Sequence, residues 1–302
     1  MTLLLVGTED GLHPFGAPGQ PSKVQLADHA FTDLALDGPV RWAITDADAL
    51  WRSDSGAEWE PAGHVEGVRA NCLSPTSSGL LIGTSEAHLL RLTAETLEPV
   101  AGFDTTDGRE AWYTPWGGPP DVRSISRSDN GTIYANVHVG GVVRSRDDGA
   151  SWEPTIDIHS DVHQVLAPEG NGRLVVAACA RGLAGSDDGG DTWIFETDGL
   201  HATYCRAVAV GGETLYLSAS LGPRGGRAAL YRIPISGGPF EKCSGGLPEW
   251  FSTNIDTACV AANGSEVAFG TDDGSVFVSG DSGRTWEAWA SGLPPVRCVS
   301  FY

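Results

Sequence analysis

Basic residues are scarce in this 302-residue chain: 19 lysines and arginines stand against 39 aspartates and glutamates, a formal net charge of −20. Such a surface repels phosphate backbones and anionic lipid, which excludes nucleic-acid and membrane-surface binding. No apolar run approaches the length of a membrane-spanning helix. The opening stretch, MTLLLVGTEDG, has a short apolar run with no basic segment before it, and reads as a strand rather than a signal peptide. Long amphipathic helical periods are missing, while glycine is plentiful at 40 residues, so short strands joined by tight turns are expected. There is no CxxC pair. Cys72, Cys179, Cys205, Cys243, Cys259 and Cys298 are scattered, mostly in or beside apolar strand runs, and read as small buried thiols of a protein in the reducing cytoplasm.

What the chain does have is a repeated turn. Ser279–Trp286 (SGDSGRTW) and Ser186–Trp193 (SDDGGDTW) both fit S-x-D-x-G-x-T-W. Ser145–Trp152 (SRDDGASW) fits with Ser151 in the threonine place, and a worn copy at Arg52–Trp59 keeps Asp54, Gly56 and Trp59. The aspartate can accept backbone N–H bonds inside the turn, the glycine takes a positive φ, and the tryptophan opens the next strand. The box tryptophans Trp59, Trp152, Trp193 and Trp286 are spaced by 93, 41 and 93 residues. A unit of roughly 40 to 47 residues is expected of a propeller blade, so each long interval hides one decayed copy. Leu97-Glu98-Pro99 lines up with Trp152-Glu153-Pro154 in the first, and Phe240 takes the tryptophan place in the second.

Each unit reads as four strands, A to D, with the box between C and D; in the sixth they are 205–210, 214–220, 229–234 and 240–243. The chain begins on a B strand (Thr2–Gly7) and ends on an orphan A strand (Val296–Tyr302), which should pair with it and remove an exposed edge. The expected fold is therefore all-β: one seven-bladed β-propeller domain over 1–302, with four-stranded blades and a ring closed by the C-terminal strand. An insertion, 104–121, lies between the third D strand and the fourth A strand, and a second long loop, 220–229, joins B to C in the sixth unit.

With these boxes at this spacing, nearly the whole chain resembles the Asp-box (BNR-repeat) propellers. That superfamily includes sialidases, oligoxyloglucan-cleaving glycosidases, sorting-receptor ectodomains and a photosystem II assembly factor. The resemblance implies that the boxes lie at the blade periphery and carry no catalytic role. Tyr231-Arg232-Ile233-Pro234 matches the letters of the sialidase F/Y-R-I-P motif, but it falls in the sixth unit rather than the first and precedes a decayed box. It reads as strand packing, and no tyrosine–glutamate nucleophile pair accompanies it. The chain is sialidase-like by repeat and not by motif.

Chemistry is expected where the A strands begin. The second position of each A strand, aligned on the apolar runs, gives Thr32, Arg69, Arg123, His163, Arg206, Asp256 and Arg297. Arg69, Arg123, Arg206 and Arg297 would line a channel mouth suited to a carboxylate or phosphate; alternatively they pair with Asp33, Asp121 or Asp256. His138, His163 and His201, with His159, gather towards the same face. They are candidates for general acid–base work together with Asp256, or for a divalent metal such as Zn²⁺ or Fe²⁺. Trp112, Tyr113 and Trp116 in the insertion would form a stacking wall over the mouth, or fold back onto blade edges. Asp161, Asp256, Glu110 and Asp121 are the acidic candidates.

Three functions are compatible with this chain. One is a binder of, or enzyme acting on, a small anionic ligand, and hydrolase or lyase chemistry, metal-assisted or not, is then expected. A second is a glycoside hydrolase using two carboxylates. The third is a scaffold whose loop-bearing face docks a protein partner.

Overall fold

The computed structural model describes residues 2–19, 21–54, 56, 58–94 and 96–302. Glycine-rich turns and short β-branched runs give seven antiparallel sheets, and the fold is a seven-bladed β-propeller. Among the described residues the helical content is one four-residue helix, Ala101–Asp104, and three short 3-10 turns. Six sheets have four strands in A-B-C-D order. The seventh has three, Val296–Phe301, Leu4–Thr8 and Gly11–Phe15, and its D position is reduced to a bridge between Leu12 and Gln25. The chain folds as two compact units, residues 1–34, 180–183 and 196–302 in one and residues 35–179 and 184–195 in the other.

In the first unit the expected joining of the chain ends is present. Leu4–Thr8 pairs antiparallel with Val296–Phe301, from Leu4 opposite Phe301 to Thr8 opposite Val296. The sixth-unit strands are Val208–Gly211, Thr214–Ala219, Ala229–Pro234 and Glu241–Lys242, the C strand falling where the sequence puts it. Apolar faces of consecutive blades close on each other. Phe251, Phe269, Phe277 and Trp286 stack edge to face with ring centroids 5.1–5.6 Å apart, over Ala207, Tyr216 and Ile255. In the second unit the same pattern joins Ala70–Thr76 and its sheet to Val122–Arg127 and its sheet, around Phe103, Trp112 and Trp152. All six cysteines are buried thiols.

The box turns repay a closer look, because one hydroxyl and one carboxylate organise each. Ser145, Ser186 and Ser279 donate to Asp147, Asp188 and Asp281 at 2.8–2.9 Å, and accept the N–H of Gly149, Gly190 and Gly283. Asp281 Oδ1 accepts the N–H groups of Arg284 and Thr285, and Asp188 Oδ1 those of Asp191 and Thr192. The glycines take φ of 90°, 89° and 76°, which any side chain would strain. Trp152 and Trp286 then donate their indole N–H to the glycine carbonyl at 3.1 Å. The worn copy differs: Ser53 takes over as acceptor for the Gly56 N–H, and the buried Arg41 guanidinium donates to the Gly56 carbonyl. Residues 55 and 57 of that copy lie outside the described residues.

Arginines from neighbouring C strands clamp these turns. Arg91 donates to the Asp148 carbonyl, Arg144 to Gly189 and Arg232 to Ser282, the same box position each time. Arg232 of the YRIP segment also pairs with Glu241 at 2.9 Å, so its guanidinium is committed to architecture.

Two outcomes follow from these arrangements. Deleting residues 296–302 removes buried Val296, Cys298 and Val299 and leaves Leu4–Thr8 with an open edge. At roughly 1.5–3 kcal/mol per buried side chain, the melting temperature should fall by about 10 °C or more, and a truncated chain melting like the full one would refute the pairing. The second concerns acid. Hydrogen bonds to the charged form hold Asp147, Asp188 and Asp281 below the usual aspartate range. A lowered pKa in the folded state means stability that is complete above the unfolded value of about 3.9 and is lost as pH falls through the folded one. Asp281→Asn should therefore be less stable at neutral pH and show a flatter decline in melting temperature between about pH 5 and 2.

Candidate functional site

Within the second unit the structure brings His138, Asp161 and His163 together. Strand Ile133–Val137 ends one residue before His138, whose backbone N–H donates to the Asp121 carbonyl at 2.9 Å. Val139, just beyond, has φ 48°, an outlying value for a β-branched residue. A 3-10 turn, Ile158–Ser160, is capped by the Asp157 carboxylate and ends on Asp161 in the left-handed region at φ 51°, ψ 68°. Asp161 launches strand Val162–Leu166, whose pairing slips between Val162 and Gln164, so His163 occupies a β-bulge. Bulges re-aim side chains at strand starts, and strained φ values concentrate at functional sites.

The result is a carboxylate between two buried imidazoles. Asp161 Oδ1 lies 3.0 Å from His138 Nε2 and 3.6 Å from His163 Nε2, while His138 is 2% exposed and His163 is fully buried. Burial works against the charged Asp161, but the contact with His138 and the fields of His163 and Arg123 outweigh it and leave its pKa below the usual range. His138 Nδ1 is buried with no hydrogen-bond partner among the described residues.

Neighbouring elements hold this group in place. Asn136, two residues before His138, donates to the Val162 carbonyl at 2.7 Å and accepts from the Ser124 hydroxyl at 2.7 Å, and Ser124 accepts the Val165 N–H. That latch fixes the strand carrying His163 against the strand carrying His138. Nothing in the sequence marks Asn136, a polar residue inside an otherwise apolar strand. Above the site, the Tyr113 N–H donates to the Val139 carbonyl and a turn runs from Thr114 to Gly117. Trp116 thereby stacks on His138, ring centroids 4.9 Å apart, although Trp116 itself is 67% exposed.

The bulge corrects the repeated position read from the sequence. It recurs between Ala70 and Cys72, between Val122 and Ser124, and opposite Gly7/Thr8 where Arg297 is skipped. Its occupants are thus Asn71, Arg123, His163 and Arg297; Arg69 stands two residues too early. Asp256 is misplaced in the same way, since Gly270 donates to the Cys259 carbonyl as Cys72 and Cys298 face Gly83 and Gly7, which puts Ala258 before it in the bulge place.

The other candidates are mostly engaged elsewhere. Arg69 lies 3.7 Å from Asp121. In the first unit Arg206 pairs with Asp256 at 2.7 Å, and Arg297 bridges Glu9 and Asp272. Arg297 is held in its charged state by those carboxylates, which outweigh its burial. Paired arginines, the alternative considered from the sequence, describe these three. His201 is not in the histidine group: it is exposed, its Nδ1 is 2.7 Å from the Tyr231 hydroxyl, and its ring lies against Trp250, over which Lys242 sits at 3.4 Å. Partial burial, then the nearby Lys242 and Arg227 charges, lower its pKa. Trp112 is a core residue packed on Phe103 with Arg109 over its ring, rather than part of a wall. Tyr113 is 42% exposed, its hydroxyl 3.4 Å from His159 Nδ1.

No family model and no curated protein matches the chain. Solved structures do. The GH74 xyloglucanase from Xanthomonas campestris is 15% identical, with a TM-score of 0.62 over 95% of this chain and 47% of its own. YCF48 bound to D1 peptide is 16% identical, TM-score 0.56, over 85% and 81%. The WD40 β-propeller domain of Doa1 is 14% identical, TM-score 0.65, over 97% and 87%. The chain spans 38% of an ancestral GH74 enzyme and 46% of the Niastella koreensis one. At these identities the likeness is one of fold.

The latch yields a clear expectation. Asn136→Ala leaves the buried Ser124 hydroxyl and Val162 carbonyl without this partner and should cost about 1–3 kcal/mol in urea unfolding. A variant as stable as the parent would show that the latch does not hold these strands.

Proposed function

We propose that the chain binds a small carboxylate- or phosphate-bearing molecule at the His138–Asp161–His163 group, with Arg123 as the cationic partner and Trp116 as a wall. The observation that carries this reading is the gathering of three titratable side chains, two of them buried, beside an arginine that acts on the same carboxylate. Structural cores rarely bury such groups together, because each must be desolvated. Without a metal, His163 is the first choice for a general base and His138 the second, with Asp161 orienting both. Hydrolase or lyase chemistry fits such a group, although the binding reading does not require turnover. The global charge of −20 keeps large anionic polymers away, whereas a small anion needs only the Arg123 guanidinium beside the group.

This reading treats residues 1–302 as one propeller domain of the Asp-box superfamily, with the 104–121 insertion on the site-bearing face, working in the cytoplasm. The box hydrogen bonds and the buried thiols support it. No helix among the described residues is long and apolar enough to cross a membrane. A glycoside-hydrolase mechanism gains less support. It needs two carboxylates flanking one bond, the histidine group contains Asp161 alone, and Asp256 is paired with Arg206. Protein docking is the second reading, favoured by the exposed Tyr113 and Trp116; YCF48 bound to D1 peptide shows that one propeller of similar fold holds a peptide.

Titration calorimetry with inorganic phosphate and with succinate tests the first reading. Arg123→Ala should weaken binding at least about tenfold, the loss expected for one charge-assisted contact, while Arg206→Ala should not. Absence of binding by the parent protein, or equal loss in both variants, would leave the docking reading in its place.

A further inference from the structure

We infer that His138, Asp161 and His163 hold a divalent transition-metal cation, a site of two imidazoles and one carboxylate in which His201 has no part. The inference rests on the site proposed above and specifies what sits in it.

Donor spacing is the first argument. Atoms bound about 2.0–2.2 Å from a tetrahedral or octahedral ion stand about 3–3.5 Å from one another. Asp161 Oδ1 is 3.0 and 3.6 Å from the two Nε2 atoms, and ligand atoms of all three residues lie within 4.8 Å of one another. The two carboxylate–imidazole separations already match that spacing, and drawing the two imidazoles together completes a coordination face. The chemistry of the donor set agrees: two imidazoles and one carboxylate suit Zn²⁺, Fe²⁺ and Co²⁺ and leave positions open for water or an anion.

Burial is the second argument. An imidazole 2% exposed with an idle Nδ1 has given up its hydration for a single contact. A core histidine kept for hydrogen bonding uses both nitrogens; His138 is buried for the Asp161 contact alone, a desolvation cost that a cation held between ring and carboxylate would offset.

Charge is the third. Arg123 and Asp161 carry opposite charges, and the pair alone offers an anion little net attraction. A divalent cation raises the sum to +2 and gives a carboxylate or phosphate both a metal position and a guanidinium. The cation thus supplies the pull that the anion reading needs.

The test uses the full chain treated with EDTA and then titrated with Zn²⁺, and with Co²⁺ for its visible absorption. One equivalent should bind. His163→Ala and the isosteric Asp161→Asn should weaken binding by at least about tenfold, the range expected when a ligand or its orienting partner is lost, and His201→Ala should bind as the parent does. Circular dichroism confirms that each variant is folded, and Asp161→Asn, which keeps side-chain volume, serves if His163→Ala is not. A parent that takes up neither ion, or an Asp161→Asn protein that binds Zn²⁺ as well as the parent, overturns the inference. Phosphate titration of EDTA-treated and Zn²⁺-loaded protein separates it from the anion reading. Equal phosphate binding in both keeps the anion site and refutes its dependence on the cation. Zn²⁺ bound with no phosphate uptake keeps the cation and removes the anion.

Discussion

A guanidinium reaching from one blade to the turn of the next is the contact on which this architecture depends. Arg91, Arg144 and Arg232 each donate to the same carbonyl position of a following box turn. Arg144 is nearly buried and stays charged because Glu153 and Asp191 flank it, outweighing its desolvation. A charge in that position would be costly if the turn carbonyl, the carboxylates or the turn shape were absent. The serine and aspartate of the box keep the turn in shape, so the short C–D connection and the arginine clamp depend on each other. The three boxes that keep serine, aspartate, glycine and tryptophan are the three whose turns these arginines engage.

Boxes and histidines also divide the sheet between them. A box lies at the end of strand C, whereas His138 follows strand B and His163 begins strand A, at the opposite end of antiparallel strands. One end is spent on holding blades together. The other is free to carry strained residues such as Val139 and Asp161, whose cost the rest of the sheet can absorb.

Much of the fold was legible because repetition compares the chain with itself. Box spacing gave the blade length, decayed copies were placed by Leu97 and Phe240, and the orphan strand at the C-terminus found its partner at Leu4–Thr8. The site was less legible, for three separate reasons. Alignment on apolar runs cannot see a bulge, and a slip of two residues exchanged Asn71 for Arg69 and Ala258 for Asp256. Aromatic residues in a loop look alike in sequence, yet Trp112 packs under Arg109 and Phe103 while Trp116 covers a histidine. Which third residue joins His138 and His163 depends on a left-handed turn at Asp161, a backbone feature with no sequence mark.

The buried thiols have a consequence of their own. Burial pushes the Cys243 thiol up to about 12, and Cys259 and Cys298 are also raised, so the nucleophilic thiolate is scarce in the folded protein. These cysteines are spread over several blades: Cys72, Cys179, Cys205, Cys259 and Cys298 lie in or beside inner strands, and Cys243 beside an outer one. An alkylating reagent can reach each of them only when its own blade opens. The propeller therefore carries native reporters of local unfolding, and peptide-resolved alkylation rates rank the blades by how often each breathes.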